Sequence, residues 1–408
     1  MNYWKLIKQD WPLLSFGFLL TALTGPGQTY FVGLFRDSIT AHFNITIGDF
    51  GLIFSLATLA SAVVFFWTGK LIDRWNLRYA VIVFCLVFAL AAGVVGLAPN
   101  LLIFVIGIFG VRHLGQALMS HVSSTTMARY FDHNRAKAIS LASMGYAAGE
   151  AIFPVTIVAI MALIGWHETW VLIAGMIMLI FLPVALFLLN QTHRDLSLNI
   201  TKTSNKTITT KDVYSSEEER HWTRKEVIGD KRFWLMLPAM FSSPYLLTGL
   251  FFHQASLAAE GGLELKEVAG FFTVFAVAKI IGSLFAGPLV DRYGYLKLYP
   301  PCIVGLMIAF YLLSASYSYV NILSFYALAG LSIGGIIPVT GSLWPGFYGL
   351  RHLGAIRSMA ASIIVIATGL APATYGYMLD SGITLKQINA ASSFYCLVAT
   401  LFLIFMVV

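Results

Sequence analysis

Residues 69–74 read Gly-Lys-Leu-Ile-Asp-Arg, and residues 287–292 read Gly-Pro-Leu-Val-Asp-Arg. Each stretch closes a long apolar segment, and the two copies lie about half of the 408-residue chain apart. A repeat with this period indicates two related halves. Because the apolar segments are long enough to cross a bilayer, both halves are predicted to lie in a membrane.

The composition excludes a soluble globular protein. Apolar residues make up 58% of the chain and charged residues 11%, and the mean hydropathy is +0.79, whereas soluble domains carry about 25% charged residues. The three cysteines lie far apart in apolar runs, so neither a disulfide framework nor a metal site is expected. A polar N-terminus followed by a full-length apolar run predicts a first span that is not cleaved.

Apolar windows of about 20 residues, the length that crosses a bilayer core of about 30 Å, predict an all-α membrane protein with twelve transmembrane helices. The predicted spans are 12–36, 48–69, 78–97, 101–129, 137–164, 168–189, 233–259, 267–288, 297–316, 320–347, 353–379 and 387–408.

The distribution of basic residues predicts the orientation. Arg36, Lys266 and Lys386 fall in loops on one side, whereas most other Lys and Arg residues lie in loops on the other. Basic residues concentrate in cytoplasmic loops, so both chain ends are predicted to be cytoplasmic in a multi-pass protein of the cell (inner) membrane. The net charge of +7 therefore reflects topology, and no nucleic-acid partner is expected.

One long hydrophilic stretch separates the first six spans from the last six. It predicts an N-terminal six-helix bundle over 1–190, a cytoplasmic linker loop over 191–232 and a C-terminal six-helix bundle over 233–408. We expect the basic end of the linker, residues 220–232, to form a short helix on the anionic inner leaflet.

Two six-span halves, a central loop and the repeated Gly-x-x-x-Asp-Arg turn resemble the major facilitator superfamily over the whole chain. The first turn continues to the basic Arg78, although Asn76 and Leu77 stand where the family has Gly-Arg. The resemblance implies two pseudo-symmetric six-helix bundles that alternate access to a central site. It also implies a conformational latch that favours the outward-facing state, formed by Gly69, Asp73, Arg74, Arg78, Gly287, Asp291 and Arg292.

The latch has a physical rationale. Its glycines are expected to let neighbouring helices approach closely. Asp73 and Asp291, at helix ends, can pair with basic residues or with the positive N-terminus of an adjacent helix. The alternative interpretation is an ordinary charged turn in each half.

Three ionisable residues, Arg112, Glu150 and Lys279, lie inside predicted spans, where such groups are costly and therefore indicate function. At about 1.5 Å per residue, Arg112 and Glu150 lie near the middle of the bilayer and Lys279 lies roughly 12 Å from the inner surface.

The residues from Arg112 to Gln116 are similar to the family's Arg, Gly and Gln motif in span four, with Gly and Gln exchanged. Arg112 and Gln116 share a polar helical face and His113 flanks it, so we predict that they face the cavity. The structural alternative for Arg112 is a buried pair with Glu150 that locks the N-terminal half.

Glu150 is predicted either to couple transport to protons or to neutralise Arg112. Lys279 has no acidic residue at its depth in its own half, so it is expected either to extend to the inner interface or to be an unpaired cation in the cavity. The three charges sum to one positive charge, which suggests an anionic small-molecule substrate. The set is similar to that of the monocarboxylate and oxalate/formate carriers of the family.

Four further residues are predicted to line the cavity. Gln28 and Tyr30 follow Gly25-Pro26-Gly27, which is expected to break span one. His253, near the outer end of span seven, is expected to sense pH or to lie at the interface. Tyr375 lies in span eleven.

These features predict a secondary active transporter of the plasma membrane that moves a small organic anion in symport with protons by alternating access. No nucleotide-binding Gly-Lys-Ser/Thr loop is present, so primary active transport driven by ATP is not expected and the proton gradient is the expected energy source. Neither an enzyme nor a cofactor is expected. We expect a monomer whose partners are the lipid bilayer and the solute. The alternatives are an exporter of amphipathic compounds and a non-transporting membrane sensor with a transporter fold.

Topology gives the first test. Single cysteines introduced into the linker loop should react with a membrane-impermeant thiol reagent only after cells are permeabilised, because the loop is predicted to be cytoplasmic. A cysteine at Lys386, predicted to lie outside, is the matched control and should react in intact cells. Labelling of linker cysteines in intact cells would reverse the orientation.

Overall fold

The computed structural model describes residues 3–131, 134–194, 196, 222–349 and 351–407. The regular secondary structure of these residues is helical, as predicted. The main helices are α1 Tyr3–Ala22, α2 Ile47–Thr68, α3 Leu77–Gly96, α4 Leu101–Tyr130, α5 Arg135–Ile164, α6 Trp166–Gln191, α7 Lys231–Phe252, α8 Leu265–Tyr293, α9 Tyr295–Ala315, α10 Tyr319–Tyr348, α11 Leu353–Asp380 and α12 Leu385–Val407.

Eleven of the helices in the described part of the chain, α2 to α12, are long and apolar enough to cross a membrane. The remaining crossing is interrupted. After α1 the chain makes a short 3-10 turn at Gly25–Gly27 and continues as short helices that end at Phe43. Pro26 has no amide hydrogen to donate, and a Cβ on Gly27 would lie 2.7 Å from the backbone nitrogen of Gln116. The predicted first span is therefore a broken helix packed against α4.

Two other crossings depart from regular α-helix. The chain breaks at His253 after α7 and continues as the helix Gln254–Gly261. The segment Arg112–Met119 of α4 is π-helical. Breaks in membrane helices occur where backbone groups are buried in protein or line a cavity, so both irregularities mark interior positions.

The helices pack mainly within each half of the chain. In the first half α1 packs on α5, and α3 packs on α4 and α6; in the second half α10 packs on α8 and α9, and α12 packs on α7 and α9. The halves meet along α2 with α11 and α5 with α8. The domain boundaries at 190 and 233 stay predictions, and residues 197–221 of the linker lie outside the described residues.

The linker ends in the short helix Arg224–Gly229, which confirms that its basic end is helical. This helix is anchored on the second half of the chain. The amide nitrogen of Trp222 donates to the carbonyl of Tyr348 at 3.1 Å, and Arg224 Nε donates to the carbonyl of Ala355 at 2.8 Å.

The halves are in tight backbone contact where α2 begins and α11 ends, on what we call the closed side. A Cβ on Gly51 would lie 2.3 Å from the carbonyl oxygen of Pro372, and one on Gly376 would lie 2.7 Å from the Cα of Gly48. Asp380 Oδ2 also accepts a hydrogen bond from the Gly48 amide at 2.7 Å, in the first turn of α2. A carboxylate is stabilised at a helix N-terminus, so this hydrogen bond of Asp380 helps to hold the two halves together.

Gly51→Val should hold α2 and α11 apart, because its side chain would overlap the backbone at Pro372. Overpacking of this kind costs about 1 to 3 kcal/mol and should shift the protein towards states that are open on this side. A cysteine at Ser55, which is buried here, should then react faster with a water-soluble thiol reagent. Gly175→Val, with no atom within 4 Å of its Cβ, is the control, and equal rates in both variants would contradict the prediction.

Candidate functional site

The centre of the interface between the halves holds an ion pair. Lys279 Nζ, on α8, donates to Glu150 Oε1 at 2.9 Å and to Oε2 at 2.7 Å, on α5. The side chains are 20% and 18% exposed, respectively. The expectation that Lys279 is unpaired or extends to the interface is therefore wrong, because its partner lies in the other half of the chain.

Arg112 is buried, with 1% exposure, at the start of the π-helical segment. Its Nε donates to Thr58 Oγ1 at 2.9 Å, its Nη1 donates to the carbonyl of Gly27 at 2.6 Å, and its guanidinium lies 4.5 Å from the centre of the Phe54 ring. The predicted alternative of an Arg112–Glu150 pair is wrong. Arg112 instead ties the broken first crossing to α2, and its Nη2 has no hydrogen-bond partner among the described residues.

A cavity of about 470 Å³ surrounds the Lys279–Glu150 pair. Its polar lining consists of the pair with Gln28, Tyr30, Ser140, Ser143, Tyr146 and Ser283, and its apolar lining consists of Met144, Ala147, Ile280, Leu284 and Ile337. Four of the predicted site residues, Gln28, Tyr30, Glu150 and Lys279, thus lie together.

The cavity opens away from the closed side. Ser140, Ser143 and Leu284, which lie beyond the ion pair towards the repeated Asp-Arg turns, are exposed, whereas Tyr30 on the other side of the pair is 7% exposed. We call the side of the Asp-Arg turns the basic side. The structure is therefore open to the basic side and closed on the opposite one.

Sequence reasoning missed the serines of the lining. A signal was available, because Ser140, Ser143, Ala147 and Glu150 follow one another at spacings of three and four, which places them on one helical face. Serines alone are common in membrane helices. Only the presence of a carboxylate on the same helical face distinguishes this set from ordinary packing residues.

The remaining predicted site residues do not line this cavity. Gln116 is not among the lining residues, and His113 contacts Ser61 Oγ at 3.1 Å and Thr68 Oγ1 at 3.0 Å, which links α4 to α2. His253 and Tyr375 lie at the closed side, where Tyr375 contacts Ser392 Oγ at 3.2 Å.

The first Asp-Arg turn makes polar contacts with α4. Asp73 accepts a hydrogen bond from Arg129 Nη2 at 2.7 Å, and the carbonyl of Gly69 contacts His121 Nε2 at 3.1 Å. Arg74 is exposed, and the amide of Arg78 donates to the side chain of Asn76 at the start of α3.

The second Asp-Arg turn makes no comparable polar contact with another helix in the described part of the chain. Asp291 has no hydrogen bond or ion pair among the described residues, and Arg292 lies 5.1 Å from the ring of Tyr293. A Cβ on Gly287 would meet nothing within 4 Å, and the three atoms nearest to one on Gly69 all belong to Phe65 of its own helix. The prediction that Gly287 allows close helix approach is therefore wrong for this conformation.

Comparisons with known proteins agree with this architecture. The family model described as Major Facilitator Superfamily matches residues 17–270. The chain is 22% identical over 332 residues to the uncharacterized MFS-type transporter YhjX of Escherichia coli (strain K12), an alignment that covers 80% of this chain and 78% of that protein.

Two solved structures share the fold. One is a bacterial homolog of the human lysosomal transporter Spinster in an inward-facing, unoccupied conformation, with 16% identity, coverage of 97% of this chain and 96% of that chain, and a TM-score of 0.70. The other is a variant of the nucleoside transporter NupG, with 13% identity, coverage of 98% and 99%, and a TM-score of 0.71.

Because the family model covers more than half of the chain, the protein belongs to the major facilitator superfamily. It is an all-α, multi-pass membrane protein of a transporter family rather than an enzyme. The predicted fold class is confirmed.

Asp73→Asn should impair turnover far more than solute binding, because the turn biases the equilibrium between conformations and does not touch the cavity. The Asp73–Arg129 pair is largely exposed and contributes about 1 kcal/mol or less, so the unfolding temperature should change little. Flux into proteoliposomes and ligand-induced thermal stabilisation measure the two effects. Asp291→Asn is the matched comparison in the second turn. Unchanged flux in Asp73→Asn would contradict the latch role and indicate that the motif is an ordinary charged turn.

Proposed function

We propose that this protein is a proton-coupled symporter of small organic anions and that the Glu150–Lys279 pair carries the coupling. The observation that supports it most directly is the position of the pair. It bridges the two halves and is partly exposed to the central cavity. Ionisable groups inside a membrane are costly and mark substrate or proton pathways.

The pair gives a physical reason for coupling. In the empty carrier the carboxylate and the ammonium neutralise one another. An anion that binds Lys279 leaves Glu150 as an uncompensated partly buried charge, which costs about 3 to 5 kcal/mol. A proton on Glu150 removes that charge and frees Lys279. Anion and proton therefore favour each other's binding, which is the requirement for symport.

The cavity is suited to a single negative charge. Lys279 is the cation that lines it, whereas Arg112 is buried and two of its nitrogens already donate to protein groups. Hydroxyl and amide groups of Gln28 and Tyr30 can orient the polar part of a solute. Met144 and Ile280 offer apolar contact to its remainder.

Alternating access would proceed by rocking of the two halves about the pair. We take the basic side to be the cytoplasm of a cell with the protein in its inner membrane, which makes this conformation inward-facing. The contacts on the closed side would then be broken in the outward-facing state, and the protein would act as a monomer with one central site.

Glu150→Gln mimics the protonated acid and should permit exchange of solute across the membrane while abolishing uphill accumulation driven by a pH gradient. Lys279→Gln should weaken anion binding by about 1.5 to 3 kcal/mol, the contribution of a charge-assisted hydrogen bond. The solute is first found by a thermal-stability screen of carboxylates, amino acids and nucleosides with the purified protein. Exchange and accumulation are then measured with that solute in proteoliposomes.

Glu267→Gln is the matched control, because this carboxylate accepts a hydrogen bond at the start of its own helix, from the Glu264 amide at 2.8 Å, outside the cavity. A stable Glu150→Gln protein with intact proton-driven accumulation would refute the coupling role. Full flux in the double variant Glu150→Lys with Lys279→Glu would indicate that the pair has only a structural role. Stabilisation by amphipathic cations alone would favour an exporter, and binding without flux would favour a sensor.

A further inference from the structure

A second polar cluster joins the halves on the closed side, at the break after α7. His253 is fully buried there. Arg36, at the start of the last short helix of the first crossing, is also buried and reaches across from the other half. Its Nη1 donates to Ser256 Oγ at 2.5 Å and lies 3.5 Å from His253 Nδ1.

The other ring nitrogen fixes the hydrogen positions of His253. Nε2 lies 2.9 Å from the carbonyl oxygen of Pro372, on α11. A carbonyl oxygen can only accept a hydrogen bond, so Nε2 carries a hydrogen. In the neutral ring Nδ1 then carries a lone pair, and this lone pair faces the guanidinium of Arg36.

Protonation is incompatible with this arrangement. A proton added to His253 must go to Nδ1, where the new N–H points at the cationic Nη1 of Arg36. Both groups are donors without acceptor capacity in that state, and two positive charges at this distance repel in a site that excludes water.

Among the described residues, no carboxylate contacts the imidazole ring of His253. Tyr375 of α11 lies parallel to the imidazole with ring centres 6.2 Å apart, and Phe252 packs on its edge. The cluster includes the carboxylate of Asp37, which is paired with Arg36 Nη2 at 2.6 Å and is largely exposed. Arg36 is the charged group that acts on the ring.

We propose that the halves close on this side only when His253 is neutral, so that protons that reach His253 from this side keep this side open. This inference rests on the proposed alternating access but not on coupling through Glu150. When the halves separate on the closed side, Arg36 moves away and water reaches the ring. A solvated imidazole titrates near pH 6.5. Acid on the closed side would thus favour the state that is ready to load a proton and an anion from that side.

The test measures the opening of the closed side directly, without any solute. Spin labels on cysteines at Ala41 and Ser381, both exposed and on opposite halves, report the distance across this side in a background without the three native cysteines. If His253 cannot bind a proton in the closed state, the ratio of the open to the closed population should rise about tenfold between pH 7.5 and pH 5.5. His253→Gln keeps an N–H donor for Pro372 but cannot be protonated, so its ratio should not change with pH.

Three variants complete the test. His42→Gln, at an exposed histidine on the same side, should keep the full pH response. Glu150→Gln should also keep it, which separates this switch from the proposed coupling. Arg36→Gln removes the repelling cation, so its pH response should shrink although His253 remains. A flat response of the native protein, or a full response in either His253→Gln or Arg36→Gln, would overturn the proposal.

Discussion

A buried charge in a membrane must find its partner within the protein, and this constraint organises the molecule. Lys279 finds Glu150 across the interface between the halves. Arg112 finds a free backbone carbonyl at Gly27, which exists because the first crossing is broken there. The cost of an unpaired ion in hydrocarbon therefore fixes both the contact between α5 and α8 and the course of the first crossing.

The two broken crossings occupy equivalent places, since each is the first of its half. They also meet: the carbonyl oxygen of Phe252 would lie 2.6 Å from a Cβ on Gly33, and Gln254 Nε2 donates to the carbonyl of Tyr30 at 2.6 Å. An unbroken helix would present no free carbonyl at Tyr30. The interruptions thus supply the hydrogen-bonding groups by which the halves recognise one another on the closed side.

The all-helical fold and the approximate bounds of eleven spans follow from the sequence, because apolar length is a local property. The predicted spans 12–36 and 233–259 are broken helices instead, and the break at His253 was not predicted. The partner of Lys279 does not follow from the sequence. Comparison of depth within one half leaves this residue unpaired, whereas the contact between α5 and α8 comes from tertiary packing between halves. The alternative of an Arg112–Glu150 pair likewise rests on similar depth in the membrane, whereas the actual partner is a carbonyl freed by a helix break, which is not visible as a charge in the sequence.

The neutral Glu150–Lys279 pair has an electrical consequence. If the empty carrier reorients with its pair intact, the pair moves no net charge through the membrane. A carrier loaded with one proton and one monovalent anion moves none either. Under the proposed coupling the cycle is electroneutral, and a membrane potential of 100 mV, worth about 2.3 kcal/mol for each charge moved, would neither drive nor oppose it. Accumulation of the solute would then follow the pH difference alone.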